Sequence, residues 1–476
     1  MADTPASRHP ARRIGTAGVV LRRAATLAAL ILFTLGLRSA LDSVPPVSGS
    51  TATIGLGFML LAAFLAGRIG ADLGLPRITG YILLGLLAGP EVLGLINEQD
   101  VADLKLIDDI AISLIALSAG GELRLSMLRR RGKSMAGIMT MEMLAVFAVI
   151  FGGMLLVADF LPITAGRDLS TVVVIALVFG SIAIANSPSV AIAVINETRS
   201  RGPVTSTILG VTVLKDVAVI LLFAVALSVA RTALTPEAGF QTAFFLTLGS
   251  EIGGSILVGV FSGLVIAALL PSVRNQAVLF ALAIAFLNAF VANLLHLEVL
   301  LLSLVAGFFL ENISPVHGEP FVRALEANSL PVYAIFFALA GASIHLGELA
   351  RLWPFVVVFV VVRALAIFGG TWLGARITGS EPEVRRYAWL GFVSQAGVTL
   401  GMVVIAARSF PEWGAELQTL FVAMVALHEL VGPVLLQTGL TRAGEVGMRD
   451  RPERAEAGPA GASARPVDAV AGGEAG

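Results

Sequence analysis

The 476-residue chain has no cysteine, which excludes disulfides, thiolate nucleophiles and zinc-ribbon sites. Charge is scarce as well: Asp, Glu, Lys and Arg make up 14% of the residues, where a soluble domain carries about 25%. Only five histidines and three tyrosines are present. In their place 57% of the residues are apolar and the mean hydropathy is +0.89, so the chain reads as an all-α polytopic membrane protein. At ~20 residues per helical span, this length accommodates a dozen or more crossings and leaves little for a separate soluble catalytic domain. Fifty glycines and 21 prolines are too many for straight soluble helices, but broken and tightly packed membrane helices tolerate both. That composition points toward transport. The formal net charge of −1 says nothing about partners, because the division of charge between the two faces matters more than the sum.

Apolar segments fall at 24–41, 52–70, 79–96, 107–123, 136–160, 170–196 and 203–231 in the first half. They continue at 242–270, 276–294, 297–312, 330–348, 352–376, 385–408 and 415–441, for 13 to 14 transmembrane helices in one membrane domain over 24–441. Residues 1–23 read as an N-terminal tail. Residues 442–476, rich in Ala, Gly, Pro, Arg and Glu, read as a disordered tail. No glycine-rich strand-to-helix unit occurs there, so no nucleotide-binding regulatory domain is expected. An even number of spans puts both termini on one side. Six of the 32 basic residues, Arg38, Lys105, Arg167, Arg231, Arg351 and Arg408, fall on the far side, and two, Lys215 and Arg363, lie inside spans. All the others lie on the side of the termini, which the positive-inside rule makes cytoplasmic. The first span follows Arg8, Arg12, Arg13, Arg22 and Arg23 but is not followed by a clear small-x-small cleavage site, so it is expected to be a retained helix rather than a signal peptide.

Polarity near the centre of a span needs a reason, since an unpaired charge there costs ~2.5–3.5 kcal/mol on insertion scales. Span 203–231 carries Lys215 and Asp216 near its midpoint, too deep to snorkel. Neighbours on a helix point about 100° apart, so the two serve different faces. The plainer reading of Asp216 is an ion pair that holds helices together. Span 170–196 is interrupted by Asn186-Ser187-Pro188, where proline removes a backbone donor and crowds the preceding turn. Such breaks expose helix ends and carbonyls that can face a cation, although a simple proline kink would have the same signature.

In the second half, span 352–376 carries Arg363 at its centre, and span 385–408 is interrupted at Gly391-Phe-Val-Ser394-Gln395-Ala-Gly397. Each half therefore has an interrupted helix beside a helix with a central charge. The triplets 136–160, 170–196, 203–231 and 352–376, 385–408, 415–441 start on opposite sides of the membrane. That is the signature of inverted repeats, with a site at their interface near the midplane. Other polar residues have blander readings: Glu122 at a helix end is interfacial, and Glu142 snorkels or lines a polar surface. His428 and Glu429 near the centre of span 415–441 read equally as a packing pair or a proton relay. His296, His317 and His345 fall in loops or span ends, with no metal-site spacing.

The segment Gly80-Tyr-Ile-Leu-Leu-Gly85-Leu-Leu-Ala-Gly89-Pro90, the run Phe336-Phe-Ala-Leu-Ala-Gly341-Ala-Ser343, and His428-Glu-Leu-Val-Gly432-Pro433 together resemble the monovalent cation/proton antiporter superfamily. The similarity is to its sodium/hydrogen exchanger-like membrane domain and, within that, to the potassium-efflux-like branch, over about 55–440. The resemblance implies a homodimer in which a six-helix core with two crossed, broken helices moves against a scaffold. It also implies that Asp216 binds cation or proton, that Asn186 and Ser187 supply ligands beside it, and that Arg363 stabilises the core. Lys215 departs from the pattern, because Asp, Asn or Gln usually precedes the essential aspartate. With Asp216 ionised, Lys215 and Arg363 bring the local charge to +1, which disfavours a bound Na⁺ or K⁺ unless Lys215 gives up its proton or turns away.

The function expected from these readings is secondary-active exchange of Na⁺ or K⁺ for H⁺ by alternating access in the cell membrane. Asp216, Asn186, Ser187 and Lys215 form the ion and proton site, Arg363 provides core charge stabilisation, and Pro188, Ser394, Gln395 and Gly397 form the breaks. His428 and Glu429 are the candidate relay. No cofactor, resident metal, nucleic acid or enzyme chemistry is expected; hydrolase elbows, phosphate loops and zinc-helix motifs are absent. The alternatives are a non-transporting sensor or scaffold on the same fold, and a carrier of anionic or organic solutes.

Overall fold

The computed structural model describes residues 11–41, 50–234, 242–273, 276–315, 318, 321, 322, 324, 325 and 329–450. Readings that concern residues 1–10, residues 451–476 and His317 lie outside the described residues. Within them the chain is helical and contains no strand, as it must be where no water is present to satisfy an open sheet edge. The elements are α1 (Ala11–Leu41), α2 (Ser50–Asp72), α3 (Arg77–Ala88), the short α4 (Glu98–Asp103), α5 (Lys105–Glu122), α6 (Leu125–Leu156), α7 (Leu169–Ala183), α8 (Pro188–Thr198) and α9 (Pro203–Leu234). The chain continues with α10 (Thr242–Leu269), α11 (Ala277–Leu295), α12 (Val299–Asn312), α13 (Ser329–Ala342), α14 (Leu346–Ile377), the short α15 (Pro382–Tyr387), α16 (Gly397–Ser409) and α17 (Gly414–Arg442). Among the described residues, nine helical stretches are long and apolar enough to cross a bilayer. Each of the fourteen expected spans coincides with one helix or with a pair joined across a break.

Helix contacts divide the bundle into two groups. α6 lies along α14, and together with α7, α8, α9, α15, α16 and α17 these form one group. α1, α2, α3, α5, α10, α11, α12 and α13 pack among themselves as the other. The groups meet mainly where α8 and α17 touch α3 and α5. Outward-facing side chains such as Leu257, Phe261, Leu279 and Phe33 are exposed, as expected of surfaces that face lipid.

Glycine decides how closely the second group packs. A Cβ on Gly85 of α3 would lie 1.9 Å from the carbonyl oxygen of Ala338 in α13, and one on Gly341 would lie 2.1 Å from that of Ile82. The two motifs Gly80-to-Pro90 and Phe336-to-Ser343 therefore pack backbone to backbone, a contact that only small residues permit. α1 joins this group through an Arg23–Asp72 ion pair at one end and an Arg38–Asp100 pair at 3.0 Å at the other.

The two broken helices lie in the first group. Ser187 caps α8 by accepting from the Val190 amide at 3.3 Å, with Pro188 at the first helical position. There proline costs no hydrogen bond, because that amide would be unpaired in any case. The chain therefore unwinds over 184–187 and restarts, which is more than a kink. In the second repeat, α15 and a tight turn of helix over Ala388–Gly391 precede an unwound stretch before α16 begins at Gly397. The Ser187 amide donates to the Ser394 carbonyl at 2.9 Å, so the breaks cross in direct contact. Gly432 of α17 lets this happen: a Cβ there would lie 1.9 Å from the Ser394 hydroxyl.

The chain stays ordered past the expected boundary at 441. The Glu445 carboxylate accepts from the amides of Val204 and Thr205, both at 2.7 Å, and from the Thr205 hydroxyl at 2.6 Å. It thereby caps the N-terminus of α9, where unpaired amides favour an anion.

Candidate functional site

A cavity of about 660 Å³ runs from the crossing of the two breaks toward the connections that hold residues 89–104, 296–298 and 343–345. Its wall includes Asn186, Ser187, Pro188, Asp216 and Ala396, and also the carboxylates of Asp108, Glu251, Glu298 and Glu429. Asp216 is 8% exposed and forms no ion pair among the described residues, so the reading of it as structural glue is not what the geometry favours. Beside it, the Asn186 amide nitrogen donates to Thr212 at 3.3 Å, while the buried Asn186 side-chain oxygen has no partner among the described residues. A buried acceptor left open next to a carboxylate is the arrangement a small cation needs, because each would otherwise lose hydration without return.

Lys215 turns the other way. Its Nζ lies 2.8 Å from Oε1 and 2.7 Å from Oε2 of Glu142 on α6, and both side chains are completely buried. The ammonium also sits 5.9 Å from the centre of the Phe392 ring in the second break, within cation–π range. Two expectations are thereby corrected. Glu142 neither snorkels nor lines a polar surface, and the local charge is not +1, because Glu142 supplies the missing negative charge. The 100° offset between adjacent residues puts Asp216 on the cavity and Lys215 in the core.

Arg363 projects from α14 into the crossing. Its Nε donates to the Ala183 carbonyl at 2.7 Å, Nη2 to Ala185 at 2.6 Å and Nη1 to Val393 at 2.7 Å. These carbonyls belong to the C-terminal ends of the two broken segments, where helix dipoles leave partial negative charge. The planar fork of arginine can serve three acceptors at once, which lysine cannot. Gln395 reaches the Ala183 carbonyl only at 3.5 Å. His428 lies 3.4 Å from Arg363 Nη1, whereas Glu429 faces the cavity. The candidate relay residues thus point to different neighbours.

The far end of the interface between the two groups is closed by polar contacts. Glu197 at the end of α8 accepts from the Arg77 amide at 2.7 Å and so caps α3, which has no side-chain cap of its own. Asn196 donates to the Tyr333 hydroxyl at 3.0 Å. Arg449 donates to Asn196 at 3.1 Å and to Glu122 of α5 at 2.5 Å. One end of the interface is therefore hollow and acidic, and the other is latched. None of these partners was legible from span-by-span reading, since each contact joins residues far apart in sequence.

The comparisons agree with this architecture. The chain is 26% identical over 358 residues to the probable Na⁺/H⁺ antiporter GerT of Bacillus cereus, covering 74% of this chain and 88% of that protein. It is 24% identical over 393 residues to the Na⁺/H⁺-K⁺ antiporter GerN of the same organism, covering 80% and 94%. It is 24% identical over 330 residues to the ammonium/H⁺ antiporter subunit AmhT of Alkalihalophilus pseudofirmus, covering 67% and 78%. The fold is similar to that of the sodium proton antiporter MjNhaP1 of Methanocaldococcus jannaschii, with a TM-score of 0.57 at 18% identity over 82% of this chain and all of that one. Residues 56–440 match the transmembrane region of the sodium/hydrogen exchangers, and with that match covering most of its length the chain belongs to the sodium/hydrogen exchanger family.

Proposed function

We propose that the chain is a secondary-active antiporter that exchanges Na⁺ or K⁺ for H⁺ by alternating access. The observation that carries this reading is Asp216, a carboxylate buried at the crossing of two broken helices, without an ion pair among the described residues and open to a cavity at one end of the bundle. Asp216 binds cation and proton in competition. Asn186 and Ser187 offer neutral oxygens, which suit a hard monovalent ion. Arg363 holds the breaks together from behind, and Pro188, Ser394, Gln395 and Gly397 shape them.

Movement of the group that contains the breaks against the other group would close the cavity and release the latch at Asn196, Glu197 and Arg449, exposing Asp216 to the opposite side. With cytoplasmic termini in the cell membrane, the cavity faces outward and the latch faces the cytoplasm. Retention of α1 as a membrane helix fits its two ion pairs, and a homodimer is part of the same reading. The charge argument that favoured a silent sensor or an anion carrier loses its force, because Lys215 is paired with Glu142 and the cavity wall is acidic.

The test is proton movement in everted vesicles, followed with a pH-gradient dye as Na⁺, Li⁺ or K⁺ is added, for the native chain and Asp216→Asn. Dissipation of the gradient by a cation, lost in the variant, is the expected result. Inserted native protein that responds to no cation between about pH 6 and 9, around the neutral pH to which proton-transfer groups are tuned, would sink the reading.

A further inference from the structure

We propose that Glu142 is a positioning residue for the ion site: it holds the Lys215 ammonium away from Asp216, so that the transported cation meets that carboxylate without a competing ammonium. The inference rests on the antiport reading and deepens it. Its first support is the charge pattern at the crossing. Lys215 is matched by Glu142 at 2.7 Å. Arg363 is matched by the C-terminal carbonyls of both broken segments, each helix end worth up to about half a unit of negative charge. Asp216 has no ion pair among the described residues, and it shares the cavity wall with the first residues of α8 and α16, the ends that carry partial positive charge.

The second support is the internal repeat. α6 and α14 are both 32 residues long and open the two inverted triplets. Glu142 stands 17 residues after Leu125, and Arg363 stands 17 residues after Leu346. Each reaches the first residue of a polar dyad on the third helix of its own triplet: Glu142 touches Lys215, and Arg363 approaches His428 at 3.4 Å. The second residue of each dyad, Asp216 or Glu429, faces the cavity. A contact repeated at matched positions fixes the rotation of the third helix about its axis, which is what aims the carboxylate into the cavity. Were Glu142 absent, the acidic group next to Lys215 in the chain would be Asp216 itself, and the ammonium would compete with the transported cation for it.

The experiment uses the purified full chain in proteoliposomes, with the cation that drives proton flux in the native protein. Its KM for that cation and its kcat are measured for Glu142→Gln, Lys215→Gln and the double variant, whose charge sum equals the native one. The expected outcome is a KM at least ten-fold higher for Glu142→Gln with kcat largely retained, and a KM within three-fold of native for the double variant. A native KM in Glu142→Gln, or a double variant as impaired as that single one, would overturn the inference. If Glu142→Gln does not insert, the double variant decides: a ten-fold shift in its KM counts against the role. Absence of any cation-driven proton flux in the native chain is a different result, which removes the antiport reading itself.

Discussion

The two inverted triplets share a frame and differ in chemistry. In the first, the central charge of the opening helix is an acid, Glu142, and the dyad it meets is Lys215-Asp216. In the second, it is a base, Arg363, and the dyad is His428-Glu429. Glu142 satisfies one ammonium and leaves the first break without a cation of its own. Arg363 reaches past its dyad and binds carbonyls of both breaks. The comparison teaches that the fold supplies matched positions for a charge, a contact and a cavity-facing carboxylate, while the residue types decide which half pairs its buried charge internally and which half ties the crossing together.

The largest effect should come from neutralising, one at a time, the cavity-facing carboxylates of the two dyads. Asp216→Asn should reduce cation-driven proton flux by at least about 100-fold, an interaction of roughly 3 kcal/mol, whereas Glu429→Gln should leave measurable exchange with an altered rate. Equal loss in both would mean that the repeats are functionally equivalent. Next comes Arg363→Ala, which strips three buried carbonyls of their donor at about 1–3 kcal/mol per unsatisfied group. Melting of the detergent-solubilised protein should show a large loss, with Arg363→Lys intermediate because a single ammonium cannot span the three acceptors. Indifference to Arg363→Ala would show that the crossing is held by Ser187 and Ser394 alone.

Gly432→Ala probes the same crossing from α17 and should cost about 1–3 kcal/mol through overpacking against Ser394, read again as a lower melting temperature. A smaller effect is expected at the latch. Glu122→Gln removes a partly exposed ion pair with Arg449, worth up to about 1 kcal/mol. Because the chain has no cysteine, a single Ser343→Cys in the cavity wall can report the shift: labelling by an impermeant maleimide from the cavity side should fall when the latch is weakened. The smallest effect concerns Glu381, whose carboxyl Arg131 holds below its usual range through two hydrogen bonds at 2.9 and 2.6 Å. A carboxyl lowered in this way stabilises the fold above its unfolded pKa and loses that contribution as pH falls through the folded value. Glu381 is 41% exposed on its side chain, so screening limits the pair to well under about 1 kcal/mol. Arg131→Ala should accordingly lower stability slightly at neutral pH and leave it unchanged once the pH lies below the lowered folded value of Glu381.

Much of this organisation was legible in one dimension. Runs of apolar residues marked the spans because a helix must satisfy its own backbone in lipid. Asn186-Ser187-Pro188 and Ser394-Gln395-Ala-Gly397 marked the breaks because proline and glycine do not continue a buried helix at such places. Asp216 and Arg363 stood out because charge at mid-span demands a partner or a purpose. Glu142 was misread for a physical reason. A lone acid in an apolar helix looks the same whether it faces lipid headgroups or a lysine 73 residues away, and only the packing of α6 on α9 distinguishes the two. His428 and Glu429 were read as one unit because they are adjacent, although a helix sends adjacent side chains to different neighbours.

Local chemistry therefore determined the membrane class, the number of crossings, the two interruptions and the presence of a carboxylate too deep to be idle. Tertiary structure alone decided which charges cancel, which end of the molecule is hollow, and that residues 443–450 return to cap α9 and reach α5. Hydropathy and helix-breaking act within a few turns of chain and can be read from neighbours. Charge pairing and closure act across space, between segments that sequence separation does not reveal.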